Sequence, residues 1–180
     1  KIKNICDSIH KSRGIVLIYN NYIDGGAVPL GLALEEMGIT RYGDYAKSLF
    51  KEPPKGSVDA ITFKSRDETA QGEQFRQAKY VIISGDKAIS PNNKKDLIAL
   101  KDEDKINGEK IKVVIITKAG SEGLDFKNIR QVHIMEPWYN MNLIEQVIGR
   151  AVRTCSHIKL PFIERNVQIF LYGTLLDSDE

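Results

Sequence analysis

Apolar residues in this chain fall into short continuous runs separated by more polar segments. RGIVLIYN (13–20), KYVIISGD (79–86), IKVVIIT (111–117) and NVQIFLYG (166–173) carry β-branched and aliphatic side chains at successive positions, and QVHIME (131–136) is a further strand candidate. A strand apolar on both sides belongs inside a parallel sheet with both faces covered. DAITF (59–63) is a further strand candidate. Between the runs the period changes. Asp24 is placed to cap a helix carrying Leu30, Leu32, Leu34 and Met37 that Gly38 ends, and Pro91 opens a helical PNNKKDLIALKD. LIEQVIGRAVR (143–153) reads as a helix between the last two strands, with Asn140 or Asn142 as its cap. Strands alternating with helices define an α/β fold with a mostly parallel central sheet and helices on both faces. Residues 47–57, with Pro53, Pro54 and Gly56, and the polar stretch 64–78 fit neither pattern. They mark a loop or insertion at about 40–78 within a domain of residues 1–180.

Composition narrows the class without naming a function. A chain of 180 residues, 42% hydrophobic and 28% charged, is that of one ordinary globular domain. The longest apolar runs, Ile15–Ile18 and Val113–Ile116, fall far short of the ~20 residues of a membrane-spanning helix, so no membrane partner is expected. KIKNICDSIHKSRG has no apolar core of a secretory signal, and the missing initiator methionine suggests a chain that starts mid-protein. Cys6 and Cys155 stand far apart without a partner motif, as expected for free thiols in a reducing compartment. A net charge of +2 is too small to argue for nucleic acid, so any such argument rests on placement.

Three segments carry the candidate chemistry. At ~100° per residue, Gln146, Arg150 and Arg153 fall within a sector of about 60°, while Ile144, Val147, Ile148 and Ala151 cluster opposite. A helix so patterned is fixed by its aliphatic side and offers two guanidiniums and an amide outward, with Gly149 leaving room for close approach. Guanidinium forks match phosphate oxygens, although a solvated basic face has the same appearance. In IITKAGSEGLDF (115–126) a strong strand runs into a loop with Gly120 and Gly123, and the carboxyl end of a strand is where open α/β sheets bind ligands. A plain strand-to-helix connection is the alternative. In HIMEPWYNMNLIEQ (133–146) Trp138 and Tyr139 either pack over the start of the arginine helix or stack on a base.

Taken in order, T-K-A-G-S-E-G-L-D, then E-P-W, then Q-V-I-G-R-A-V-R resembles motifs V and VI of superfamily-two helicases and translocases, and RGIVLIYN takes the place of motif IV. GSEGLDF with EPWYN, EQVIGRAVR, SH and LPFIERNVQIFLY looks most like helicases of nucleocytoplasmic large DNA viruses, a group that includes the poxviral nucleoside triphosphatase and early transcription factor ATPases. The resemblance implies a RecA-like second motor domain. It implies that Arg153 is an arginine finger, Arg150 its phosphate-binding companion and Gln146 a positioner of water or phosphate. Thr117 and Lys118, with the backbone near Asn20 and Asn21, would meet a nucleic-acid strand, and Gly123 and Asp125, beside Gly149, would face the nucleotide. It implies ATP and Mg²⁺ at an interface with an N-terminal RecA-like ATPase domain, nucleic acid as a partner with DNA favoured over RNA, viral transcription machinery as a further partner, and a place in the host cytoplasm, viral factory or virion.

No G-x-x-x-x-G-K-[ST] and no acidic motif after a strand occurs in the chain, and GSEG lacks the lysine. Hydrolysis by these residues alone is not expected. A non-catalytic RecA-like module of a transcription complex is the alternative. A Rossmann-type nucleotide enzyme is weaker still, because no strand is followed by G-x-G-x-x-G.

Overall fold

A computed structural model describes residues 1–43, 47–101, 106–118, 126–137, 139 and 141–174. The elements run α1 (Ile2–His10), β1 (Ile15–Asn20), a π-type turn (Ile23–Ala27), α2 (Val28–Glu36), β2 (Thr40–Arg41), β3 (Lys79–Ile83), α3 (Asn93–Leu100), β4 (Val113–Thr117), β5 (Ile129–Ile134), α4 (Met141–Ala151), a 3₁₀ turn (Phe162–Glu164) and β6 (Gln168–Leu171).

All pairings in the sheet are parallel, in the order β2-β3-β4-β1-β5-β6. Alternate side chains of β1, β3 and β4 enter opposite cores, as the pleat requires. Val16, Ile18, Val113, Ile115, Tyr80 and Ile82 pack with Ile5 and Ile9 of α1 and with Leu30 and Leu34 of α2. Leu17, Tyr19, Val114, Ile116, Val132 and Ile134 pack with Ala99 of α3 and with Ile144, Val147 and Ala151 of α4. The result is the three-layer α/β architecture expected of a RecA-like domain. β1, buried at every position, is its centre.

Strand order creates one special place. The chain leaves β1 toward β2 and leaves β4 toward β5, on the other side of β1. Adjacent parallel strands whose connections depart in opposite directions open a crevice at their carboxyl ends. Asn20 pairs with Thr117 there.

Several local expectations fail for identifiable reasons. DAITF is not a strand. The Asp59 carboxylate accepts hydrogen bonds from the backbone N–H groups of Ile61 (2.9 Å), Thr62 (2.9 Å) and Arg76 (2.6 Å), which folds the segment into a turn. Those bonds hold the Asp59 carboxyl below its usual range even though burial pushes it up. Only isolated bridges, Val58 to Ser65 and Asp59 to Gln77, remain. Asp24 does not cap a helix, because it lies inside the π-type turn, and α2 starts at Val28 with Pro29 in its first turn. Pro91 precedes Asn92, the N-cap of α3, so that helix begins later than expected. Asn142 lies inside α4 and is not its cap; Asn140 falls outside the described residues. The N-terminal segment forms α1, whose Ile2, Ile5 and Ile9 pack onto the core.

Candidate nucleic-acid and nucleotide interface

At the carboxyl end of β1 the backbone turns sharply over Gly25 and Gly26. A Cβ on Gly26 would stand 2.9 Å from Asn20 Cγ, so the glycine lets the turn lie directly on the Asn20 amide. Asn20 is fully buried, and neither its Oδ1 nor its Nδ2 has a hydrogen-bond partner among the described residues. Thr117 Oγ1 and Asn21 Nδ2 share that condition. Unpaired buried donors and acceptors are costly, about 1–3 kcal/mol each, and where they cluster a ligand or a closing loop is the usual remedy.

Asn21 is held from two sides. Tyr19 Oη donates to its Oδ1 at 2.9 Å, and its own N–H donates to Glu136 Oε2 at 3.0 Å. Burial raises the Tyr19 phenol above its ordinary pKa, and the Glu136 carboxylate adds to the shift. Glu136 thus fixes the β1 exit, and nothing in its sequence position signalled that contact. Met135 N–H donates to Tyr19 O at 3.0 Å, carrying β5 alongside β1 to the same edge. Lys118 follows Thr117 into solvent. Asn20, Asn21, Thr117 and Lys118, distant in sequence, therefore share one edge. Because Asn20 itself is covered, it supports the turn, and the backbone around Asn21 is the part that faces outward.

The arginine segment lies on the opposite face of the sheet. Ile144, Val147 and Ala151 are buried, Gln146 and Gly149 are exposed, and Arg150 is half-buried. A Cβ on Gly149 would meet nothing within 4 Å, so the surface beside it is open. The helix is shorter than expected. α4 ends at Ala151, so Arg153 does not extend the helical face but stands, exposed, in the turn that follows.

That turn is tightly tied. Ser156 N–H donates to Arg153 O (3.0 Å), and Ser156 O accepts from Asn128 N–H (3.0 Å). Ser156 Oγ lies 3.4 Å from Ala151 O, a carbonyl in the last turn of α4, and 2.8 Å from His157 Nδ1, while His157 Nε2 lies 2.6 Å from Ile129 O. Cys155 sits at φ 64°, in the left-handed region that only glycine and asparagine enter readily.

Gly123 and Asp125 of the nucleotide-facing expectation fall outside the described residues, as does Trp138. Tyr139 is 88% exposed and does not join the core. Among the described residues no group of three or more His, Cys, Asp or Glu side chains is placed to hold a metal ion. No helix among them is long and apolar enough to cross a membrane.

Comparison with known proteins identifies the family. Residues 45–155 match the helicase conserved C-terminal domain. A protein of Acanthamoeba polyphaga mimivirus named as an ATP-dependent RNA helicase is 47% identical over 178 residues, 99% of this chain and 30% of that protein. A termination factor NPH-I homolog of African swine fever virus is 32% identical over 96% of this chain and 25% of its own length. An early transcription factor large subunit homolog of the same virus is 31% identical over 95% of this chain and 15% of its own length. The chain thus spans less than a third of the length of these relatives, and the expected likeness to large-DNA-virus helicases is borne out. With more than half of its residues matched, the chain belongs to the helicase conserved C-terminal domain family.

Proposed function

We propose that this domain is the second motor domain of an ATP-dependent nucleic-acid helicase or translocase, and that it completes an active site whose nucleotide-holding half lies on an N-terminal RecA-like domain. The observation that carries this reading is the division of α4: its aliphatic side is buried in the sheet while Gln146, Gly149, Arg150 and the adjoining Arg153 stay outward. ATP, held with Mg²⁺ by the first domain, supplies a γ-phosphoryl group on which negative charge is redistributed as it is transferred. Arg153 acts as the finger against that charge, Arg150 binds the neighbouring phosphate oxygens, and Gln146 orients water or phosphate. Guanidiniums fit the task because they stay charged and present paired donors. Gly123 and Asp125 belong to the same nucleotide-facing side by their place in the motif.

The carboxyl edge at Asn21, Thr117 and Lys118, braced by Asn20, contacts the sugar-phosphate backbone of the nucleic acid. The buried polar atoms of Asn20, Asn21 and Thr117 that have no partner among the described residues support this. Contacts of this kind are indifferent to base sequence. The names of the relatives do not favour DNA over RNA, since the mimivirus protein is named as an RNA helicase. Likeness to a termination factor and an early transcription factor supports work beside viral transcription machinery, in the host cytoplasm, viral factory or virion. A non-catalytic module of such a complex is the competing reading.

The deciding experiment is Arg153→Ala in a polypeptide that also carries the first RecA-like domain. ATP binding stays within about threefold, and nucleic-acid-stimulated hydrolysis falls by ~10³ or more. Unchanged turnover would leave the non-catalytic module as the better account.

A further inference from the structure

The dipeptide Ser156–His157 is part of the sequence pattern by which the chain resembles viral helicases, yet neither residue has a role in the function proposed above. Its geometry supplies one. Four contacts converge on Ser156: its N–H on Arg153 O, its carbonyl on Asn128 N–H, and its Oγ on both Ala151 O and His157 Nδ1. Ser156 is buried, and His157 is half-buried. The Ile129 carbonyl only accepts, so His157 Nε2 donates to it, which in the neutral ring leaves Nδ1 to accept from the Ser156 hydroxyl. The hydroxyl has one proton, so its 3.4 Å approach to Ala151 O is a contact and not a second hydrogen bond. The chain of bonds runs from the base of β5 through the imidazole to Ser156, whose own N–H holds the backbone carbonyl of Arg153. Cys155, between them, is held at φ 64°, a conformation that the surrounding contacts must impose.

We infer that Ser156 and His157 are positioning residues for Arg153: they clamp the turn after α4 to the first residue of β5 and so set where the guanidinium is presented. Neither touches the nucleotide. The inference rests on the finger reading of Arg153. Without the clamp, the arginine keeps its charge but samples many orientations, and a finger held out of place by about 1 Å loses much of its effect on the transition state.

The test uses the longer helicase polypeptide and measures kcat, KM for ATP and nucleic-acid affinity for His157→Ala, Ser156→Ala, Ser156→Thr, Arg153→Ala and the double variant Arg153→Ala/His157→Ala. The expected result is a loss of at least tenfold in kcat for each of the two single alanine variants at the clamp. KM and nucleic-acid affinity stay within about twofold, and Ser156→Thr, which keeps the hydroxyl, recovers most of the rate. The double variant is no slower than Arg153→Ala alone, because a positioning residue has nothing left to position. Wild-type kcat in a folded His157→Ala variant, or losses that simply multiply in the double variant, overturns the inference while leaving the finger reading intact. Unchanged turnover in Arg153→Ala overturns both. Where an alanine variant does not fold, His157→Gln replaces it, since its amide can donate to the Ile129 carbonyl yet offers Ser156 no ring nitrogen. A fivefold loss in kcat at constant KM supports the clamp, and wild-type kcat rejects it.

Discussion

His133 shows how a single buried group makes stability depend on pH. Gln131 Nε2 donates to Gln168 Oε1 (3.1 Å), which leaves Gln131 Oε1 to accept from His133 Nε2 (3.1 Å) and His133 Nδ1 to accept from Tyr172 Oη (2.8 Å). Phe170 stacks on the ring at 4.6 Å. The network is complete only while the ring is neutral, and burial pulls its pKa from 6.5 down to about 4. The unfolded chain takes up a proton below pH 6.5 that the folded chain refuses, so stability falls as pH drops from about 6.5 to about 4, by roughly 2–3 kcal/mol. Asp96 acts in the opposite sense. Burial raises its carboxyl to about 6, so its contribution weakens as pH rises from 3.8 to 6. Urea midpoints at pH 4.5 and 7 separate the two: His133→Gln flattens the acid loss, and Asp96→Asn steepens it. Lys112 is a third case. Fully buried, it donates from Nζ to Ser12 O (3.2 Å) and lies over the Phe63 ring, and burial lowers its pKa to about 8. The Glu109 and Asp59 carboxylates offset the burial only in part, so Lys112→Met raises stability at pH 7 by about 1–2 kcal/mol, read from the urea midpoint.

At the scale of elements, the two sides of the candidate site respond differently to added methyl groups. Gly149 sits in α4 with open space where a Cβ would go, so Gly149→Ala stabilises the helix by about 0.5–1 kcal/mol. If a nucleotide held by the first domain approaches that surface closely, the same change lowers turnover, and a melting curve beside an ATPase assay displays both effects. Gly26→Ala instead places a Cβ 2.9 Å from Asn20 Cγ and displaces the amide beneath the turn. The expected outcome is nucleic-acid affinity reduced severalfold, matching Asn20→Ala, as titrated by fluorescence anisotropy. Equal affinity in both variants and the parent would remove that edge from the interface. The elements also show what periodicity can and cannot tell. β1, β3 and β4 were legible because both of their faces are buried and leave continuous apolar runs, β6 keeps such a run although it is an edge, and β5 was legible from Val132, Ile134 and Met135 although Gln131 and His133 interrupt it. DAITF carried the same signal, but the Asp59 side chain competed successfully for the backbone and made a turn. The end of α4 was misjudged for a related reason: contacts of Ser156 and His157 with Asn128 and Ile129, remote in sequence, stop the helix before Arg153.

For the whole molecule, one sheet carries both the proposed nucleic-acid edge and the arginine segment, on different faces. The proposed cycle requires the first RecA-like domain to supply the nucleotide site, so neither domain alone sustains turnover, and mixing the two restores nucleic-acid-stimulated hydrolysis. If the proposed edge contacts are to the sugar-phosphate backbone, affinity for strands of equal length but scrambled sequence differs by only a few-fold and declines as salt rises.

The sequence by itself determined the α/β class, the placement of most strands, the aliphatic anchoring of α4 and the identity of the arginines, because hydrophobic period and residue type are local properties. Strand order was decided only by the tertiary structure. A run of apolar residues states that a strand is buried, not which strand lies beside it, so the pairing that brings Asn20 beside Thr117 had no local signature. The position of Arg153 was decided in the same way, by hydrogen bonds to a neighbouring strand whose energy outweighed the tendency of the helix to continue.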